Sequence, residues 1–107
     1  MRLVRRLILP ALLALGATTA ALADDVTVIN PRALFPEGPV MSNGKLLYVE
    51  YAGHTVLSWD GKENKQLWKQ DGCGPSAIVP MGKNFGVTCY DSAQIVIVSP
   101  EGKTLYT

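Results

Sequence analysis

The runs Phe85-Gly86-Val87-Thr88-Cys89-Tyr90 and Gln94-Ile95-Val96-Ile97-Val98 decide the fold class. Each is short, rich in β-branched or aromatic side chains, and bounded by turn formers, the signature of a β-strand. Working outward, Lys45 to Tyr51, Thr55 to Trp59 and Lys65 to Lys69 share that character. Asn43-Gly44, Asp60-Gly61, Asp71-Gly72, Met81-Gly82 and Glu101-Gly102 separate the runs. Such dipeptides join antiparallel strands by tight turns. Nowhere after Asp24 do apolar residues recur at helical spacing. Ile95 to Val98 is apolar on both alternating faces, as expected of a sheet packed on both sides. The chain reads as all-β.

The N-terminal segment differs from the rest. Arg2, Arg5 and Arg6 precede an apolar run from Leu7 to Leu15 and beyond, and Ala21-Leu22-Ala23 is a small-x-small signature before Asp24-Asp25. This order predicts a secretory signal peptide over residues 1–23, cleaved after Ala23. A retained anchor is the rival, disfavoured by the short run and its interruption at Pro10 and Gly16. Arg5-Arg6 hints at twin-arginine export, although paired arginines are common in ordinary leaders. The expected location is periplasmic or secreted. Cleavage leaves 84 of 107 residues, seven Lys+Arg against nine Asp+Glu, and a net charge of −2. That is one small domain with no basic footprint for nucleic acid. Past Ala23 no apolar run approaches the roughly 20 residues that span a bilayer.

Landmarks recur along the mature part. Gly38-Pro39 returns as Gly74-Pro75, Gly44-Lys45 as Gly82-Lys83, Val56 to Trp59 as Ile95 to Val98, and Asp60-Gly61-Lys62 as Glu101-Gly102-Lys103. A unit of about 40 residues with four short strands has the size of one β-propeller blade. Blade one is expected over about 35–70 and an incomplete blade two over about 74–107. Residues 24–34 form a lead-in segment and candidate ring-closing strand. A closed propeller typically has 4–8 blades, so two blades describe part of a larger ring.

Phe35-Pro36-Glu37-Gly38-Pro39-Val40, then Gly44-Lys45-Leu46-Leu47-Tyr48-Val49-Glu50 and Val56-Leu57-Ser58-Trp59-Asp60, resemble the start of the SMP-30/gluconolactonase/LRE family. The resemblance spans residues 34–107, about the first third of a family domain. It implies a six-bladed propeller that hydrolyses lactone (cyclic ester) rings, including sugar-acid lactones, with a divalent metal at the central channel. Ca2+ leads, with Zn2+ or Mn2+ as alternatives. The family's motif glutamate is a metal ligand, and it corresponds to Glu37. Glu50 departs from the family's usual Asp, and Met41 stands where an aromatic residue is common. The family's other ligands, an Asn and an Asp, come from later blades, and no residue before Thr107 matches them.

The chemistry of that assignment is coherent. Ca2+ takes 6–8 oxygen ligands, and in lactone hydrolysis the metal can polarise the carbonyl and acidify a bound water. Pro36 and Pro39 stiffen the turn that holds Glu37. Read without the resemblance, Glu37 is a solvated turn carboxylate. One carboxylate does not fill a Ca2+ shell, so the chain alone is expected to be inactive. No catalytic residue is assignable, and the alternatives are a non-enzymatic exported propeller used for binding or a truncated product without function. In that last case Gln94 to Val98 is an aggregation hazard.

The other reactive residues read as structural. His54 is the only histidine and sits in a turn, where it is expected to be solvated. Asp60, Asp71 and Asp91 occupy turn positions, where Asp bonds its own backbone. Trp59, Trp68, Tyr48 and Tyr51 alternate along strands, a pattern of core rather than of a stacking platform. Cys73 and Cys89 are the only cysteines, in a chain expected in an oxidising compartment. With Gly82-Lys83 as the turn, Cys89 faces about Ser76, one pleat from Cys73. A bulge would allow a disulfide. Two small buried thiols remain the other reading.

Overall fold

The computed structural model describes residues 24–107, so the expected signal segment at 1–23 lies outside the described residues. The strands are β1 (Pro36–Ser42), β2 (Lys45–Glu50), β3 (Thr55–Trp59), β4 (Asn64–Lys69), β5 (Pro75–Met81), β6 (Asn84–Cys89), β7 (Gln94–Val98) and β8 (Thr104–Tyr106). They form two four-stranded antiparallel sheets, ordered β1-β2-β3-β4 and β5-β6-β7-β8. No helix forms among the described residues, and none is therefore long and apolar enough to cross a membrane.

Local chemistry explains the turns. Asn43 and Gly44 both take positive φ, 48° and 74°, which suits the right-handed twist of a two-residue hairpin. In the second sheet Gly82-Lys83 does the same work with positive φ at Gly82 alone. Asp60 Oδ1 accepts hydrogen bonds from the Lys62 and Glu63 amides at 2.8 and 3.0 Å, closing the β3–β4 turn as an Asx turn. β1 bulges between Glu37 and Val40, and Pro39, which has no N–H to donate, falls within that bulge.

The sheets are two copies of one pattern. Pro36, Lys45 and Thr55 open β1 to β3, and Pro75, Asn84 and Gln94 open β5 to β7 at a constant offset of 39 in the numbering. The fourth strands start 40 apart, at Asn64 and Thr104. Against this spacing two of the sequence landmarks are out of register. Gly38 is in the β1 bulge and Gly74 precedes β5, so Gly74 corresponds to Phe35 and not to Gly38. Gly44 ends its turn, whereas Gly82 begins its own. Val56 to Trp59 and Ile95 to Val98 do correspond.

Alternation then builds the core. Val40, Leu47, Val49, Val56 and Trp68 on one face of the first sheet meet Ile78, Phe85, Val87, Val96 and Val98 of the second. The close approaches between sheets concentrate where β5 lies against β1 and β2. Trp68 is buried and its indole N–H donates to Thr104 Oγ1 at 2.9 Å, tying β4 to β8.

Residues 24–34 contain no strand. They cross the other face of the first sheet, where the Asn30 amide donates to Tyr48 Oη at 3.0 Å and the Asn64 amide donates to the Ile29 carbonyl at 2.8 Å. Tyr48 is buried beneath them.

Cys73 and Cys89 are joined in a disulfide, with a Cα–Cα distance of 4.5 Å. Its local cause is in the register. Ala77 pairs with Thr88, yet Cys89 pairs with Pro75, so Ser76 is a bulge. That one extra residue brings Cys73 within reach of Cys89.

Candidate functional site

Glu37 lies on β1 opposite Val49, at the start of the bulge, and is half-buried. It stands between two concavities. One, of about 310 Å³, is lined by Val28, Ile29, Ala33, Leu46 and Tyr48 beneath the lead-in segment. The other, of about 230 Å³, is lined by Phe35, Tyr51, Ser76 and Tyr90 at the end where both sheets meet.

The walls of the smaller cleft are fixed by named bonds. Tyr51 and Ala52 donate their amides to the Phe35 and Leu34 carbonyls at 3.0 and 3.2 Å. Glu50, only 7% exposed, accepts from the Leu34 amide at 2.6 Å and from Thr55 Oγ1 at 2.9 Å. Across the cleft the Tyr90 and Asp91 amides donate to the Gly74 and Cys73 carbonyls, each at 3.0 Å. The disulfide holds Cys73 to the end of β6, so it also anchors the loop that begins at Tyr90.

One side-chain pair bridges the two loops. Tyr51 Oη donates to Asp91 Oδ1 at 2.5 Å. That hydrogen bond, first, and then partial burial and the charges of Asp91, Tyr90 and Glu37, push the Tyr51 phenol above its ordinary pKa. Tyr51 thus bonds one carboxylate, Asp91, and shares the cleft lining with another, Glu37. Gly74, at φ +55°, keeps the pair in place, because a Cβ there would collide with the Asp91 carboxyl and lie 3.0 Å from Tyr51 Cε2.

Several sequence expectations change here. His54 is a turn residue with positive φ, 58°, but it is half-buried rather than solvated, and its Nδ1 accepts the Gly74 amide at 3.1 Å. The β2–β3 turn places it against the segment that leads into β5, which sequence position does not reveal. Trp68 and Tyr48 are core, whereas Trp59 and Tyr51 are only half-buried, and Tyr51 faces the cleft. Asp91 bonds Tyr51 rather than its own turn. Asp71 is exposed and sits 3.7 Å from Lys69 Nζ.

Sequence reasoning missed Glu50, the Tyr51–Asp91 pair and Phe35. The repeat held a usable signal for one of them. Tyr51 and Tyr90 share the offset of the strand starts, and each follows the second strand of its sheet.

No family model, curated protein or solved structure matches the chain.

Among the described residues no three His, Cys, Asp or Glu side chains converge as a metal-ion site. Glu37 offers one carboxylate, which does not fill a Ca2+ shell of 6–8 oxygens. The described residues do not make a complete cation site.

Proposed function

We propose that this chain is the N-terminal part of an exported six-bladed β-propeller of the SMP-30/gluconolactonase type. The intact protein hydrolyses lactone rings, and Glu37 is one of its metal ligands. The observation that carries this reading is the constant offset between two four-stranded antiparallel sheets. A four-stranded sheet repeated at about 40 residues has the size and strand count of a propeller blade. The second support is where the sheets converge: β5 approaches β1 and β2, as first strands do when blades gather about an axis. Glu37 lies on such a first strand, ahead of the bulge. Two such sheets amount to a third of a six-bladed ring.

Within that ring the chain supplies one anionic oxygen ligand, carried not on the expected turn but on a bulged strand stiffened by Pro36 and Pro39. The remaining ligands belong to further blades. Calorimetric titration of residues 24–107 with Ca2+, Zn2+ and Mn2+, beside a hydrolysis assay on sugar-acid lactones, tests this division. The expected result is no tight binding and no turnover by this chain. Tight binding or turnover would show that one carboxylate is enough and overturn the shared-site reading. The coding sequence after Thr107 is the second test. A continuing blade rhythm that brings an Asn and an Asp supports the enzyme, and its absence favours a binding protein.

A further inference from the structure

The smaller cleft has features that neither the core nor a metal ligand requires. Phe35 has φ +60°, a left-handed backbone that is a genuine outlier for a bulky side chain. Its counterpart one repeat later is Gly74, at φ +55°, the residue type that takes this conformation without cost. The first sheet therefore carries a strained phenylalanine where the second carries glycine. Burial does not repay the strain, because Phe35 is 65% exposed. Strain held without a packing return is an observation from which a functional role can be argued.

The cleft around Phe35 combines aromatic rings with a carboxylate. Its ring meets Tyr51 edge to face, with centroids 6.0 Å apart and planes at 61°. Tyr90, the repeat counterpart of Tyr51, completes the wall and is 75% exposed. Glu37 and Ser76 complete the lining, which holds no basic side chain. Asp91 adds a second carboxylate through Tyr51. Three aromatic groups around a carboxylate attract a cation through both ring quadrupoles and charge. A bare metal ion prefers oxygen ligands, and a neutral sugar makes no use of the carboxylate charge. An organic ammonium group uses both.

We propose that the cleft formed by Phe35, Tyr51, Tyr90 and Glu37 binds organic ammonium ligands, with the aromatic rings against the alkylated nitrogen and Glu37 as counter-charge. The cleft is built before the ligand arrives, because backbone bonds and the disulfide fix both of its walls. This goes beyond the lactone reading and does not depend on it.

The test is an NMR titration of the chain with choline, in the presence of a chelator so that no metal competes for Glu37. Its neutral isostere, 3,3-dimethylbutan-1-ol, serves as the comparison. Choline is expected to shift the resonances of Phe35, Tyr51 and Tyr90, with the isostere at least about tenfold weaker. Phe35→Gly separates binding from folding, since it relieves the backbone strain. That variant is expected to melt no lower than the parent and to lose binding by about tenfold. Glu37→Gln is expected to weaken choline and leave the isostere unchanged. Equal binding of the isostere, retained binding in Phe35→Gly, or no shifts at tens of millimolar choline would each overturn the proposal. Lactone turnover and Ca2+ binding are measured separately, without choline, so failure of one reading is distinguishable from failure of the other.

Discussion

Single residues in this chain matter according to what surrounds them. Glu50 is a buried carboxylate that satisfies two donors from different segments, the Leu34 amide and the Thr55 hydroxyl. Glu50→Ala leaves both without a partner and is expected to cost about 2–3 kcal/mol, read as a lower denaturant midpoint with an unchanged slope. Gly38 and Gly44 both have positive φ, 54° and 74°, but differ in space. A Cβ at Gly38 would lie 2.9 Å from Ala77 Cα and 3.1 Å from the Ser76 carbonyl, while one at Gly44 meets nothing within 4 Å. Gly44→Ala therefore carries only the backbone cost, about 1 kcal/mol. Gly38→Ala adds overpacking between the sheets and is expected to cost about 2–4 kcal/mol. Equal losses in the two variants would refute the close approach of β1 and β5.

At the scale of elements, β2, β3, β4, β6 and β7 were legible as runs, and β1, β5 and β8 were not. β3 and β7 fall on the bounds that alternation predicts, Thr55–Trp59 and Gln94–Val98. β1 and β5 escaped notice because Gly38, Pro39, Pro75 and Pro80 break their apolar pattern. Their strand character comes from pairing with β2 and β6. Pairing likewise gives β7 both of its hydrogen-bonding neighbours. Gln94 to Val98 is an interior strand with neighbours on both sides, and β8, three exposed residues, is the edge.

Two predictions belong to elements. Reducing the Cys73–Cys89 bond, which closes a loop with a sequence separation of 16, is expected to lower stability by about 3 kcal/mol. Urea unfolding with and without reductant measures this, and identical midpoints would count against it. The Asp60 carboxyl is held below its ordinary pKa by the Glu63 amide first and the Lys62 amide second. Its contribution to stability is therefore present above the unfolded value of 3.8 and lost as pH falls through the lower folded value. Asp60→Asn should flatten that part of the acid limb. An unchanged acid limb would show that the turn does not couple to protonation.

For the molecule as a whole, the repeat shows which face lacks a cover. Val56 is fully buried against the second sheet, yet its counterpart one period later, Ile95, is 62% exposed. Val79 and Met81 lie on the same face of the second sheet and are also exposed. The first sheet has sheet β5–β8 on one face and residues 29–34 on the other. Among the described residues, the second sheet has a neighbour on one face only. Exposed apolar surface of this kind drives association. Ile95→Glu is expected to reduce self-association at high protein concentration while leaving the circular dichroism spectrum and melting unchanged. Sedimentation velocity reads the first and thermal melting the second. Undiminished association would place the sticky surface elsewhere.

By itself the sequence determined the all-β class, the β-rich runs, most of the turns and a blade-sized repeat. Those features follow from local rules, in which side-chain alternation and the φ preferences of Gly, Asn and Asp act over short stretches. The Cys73–Cys89 bond was half legible, because it needed a bulge at Ser76 that no local rule marks. Glu37 was legible as a candidate ligand only through a motif resemblance. The cleft around it was decided by tertiary structure. Phe35, Tyr51, Tyr90 and Asp91 stand on three loops of two sheets, and only the packing of β5 against β1 and β2 brings those loops to one end. Loops far apart in the chain are drawn together there by burial of a shared core, a non-local free energy that no stretch of sequence displays on its own.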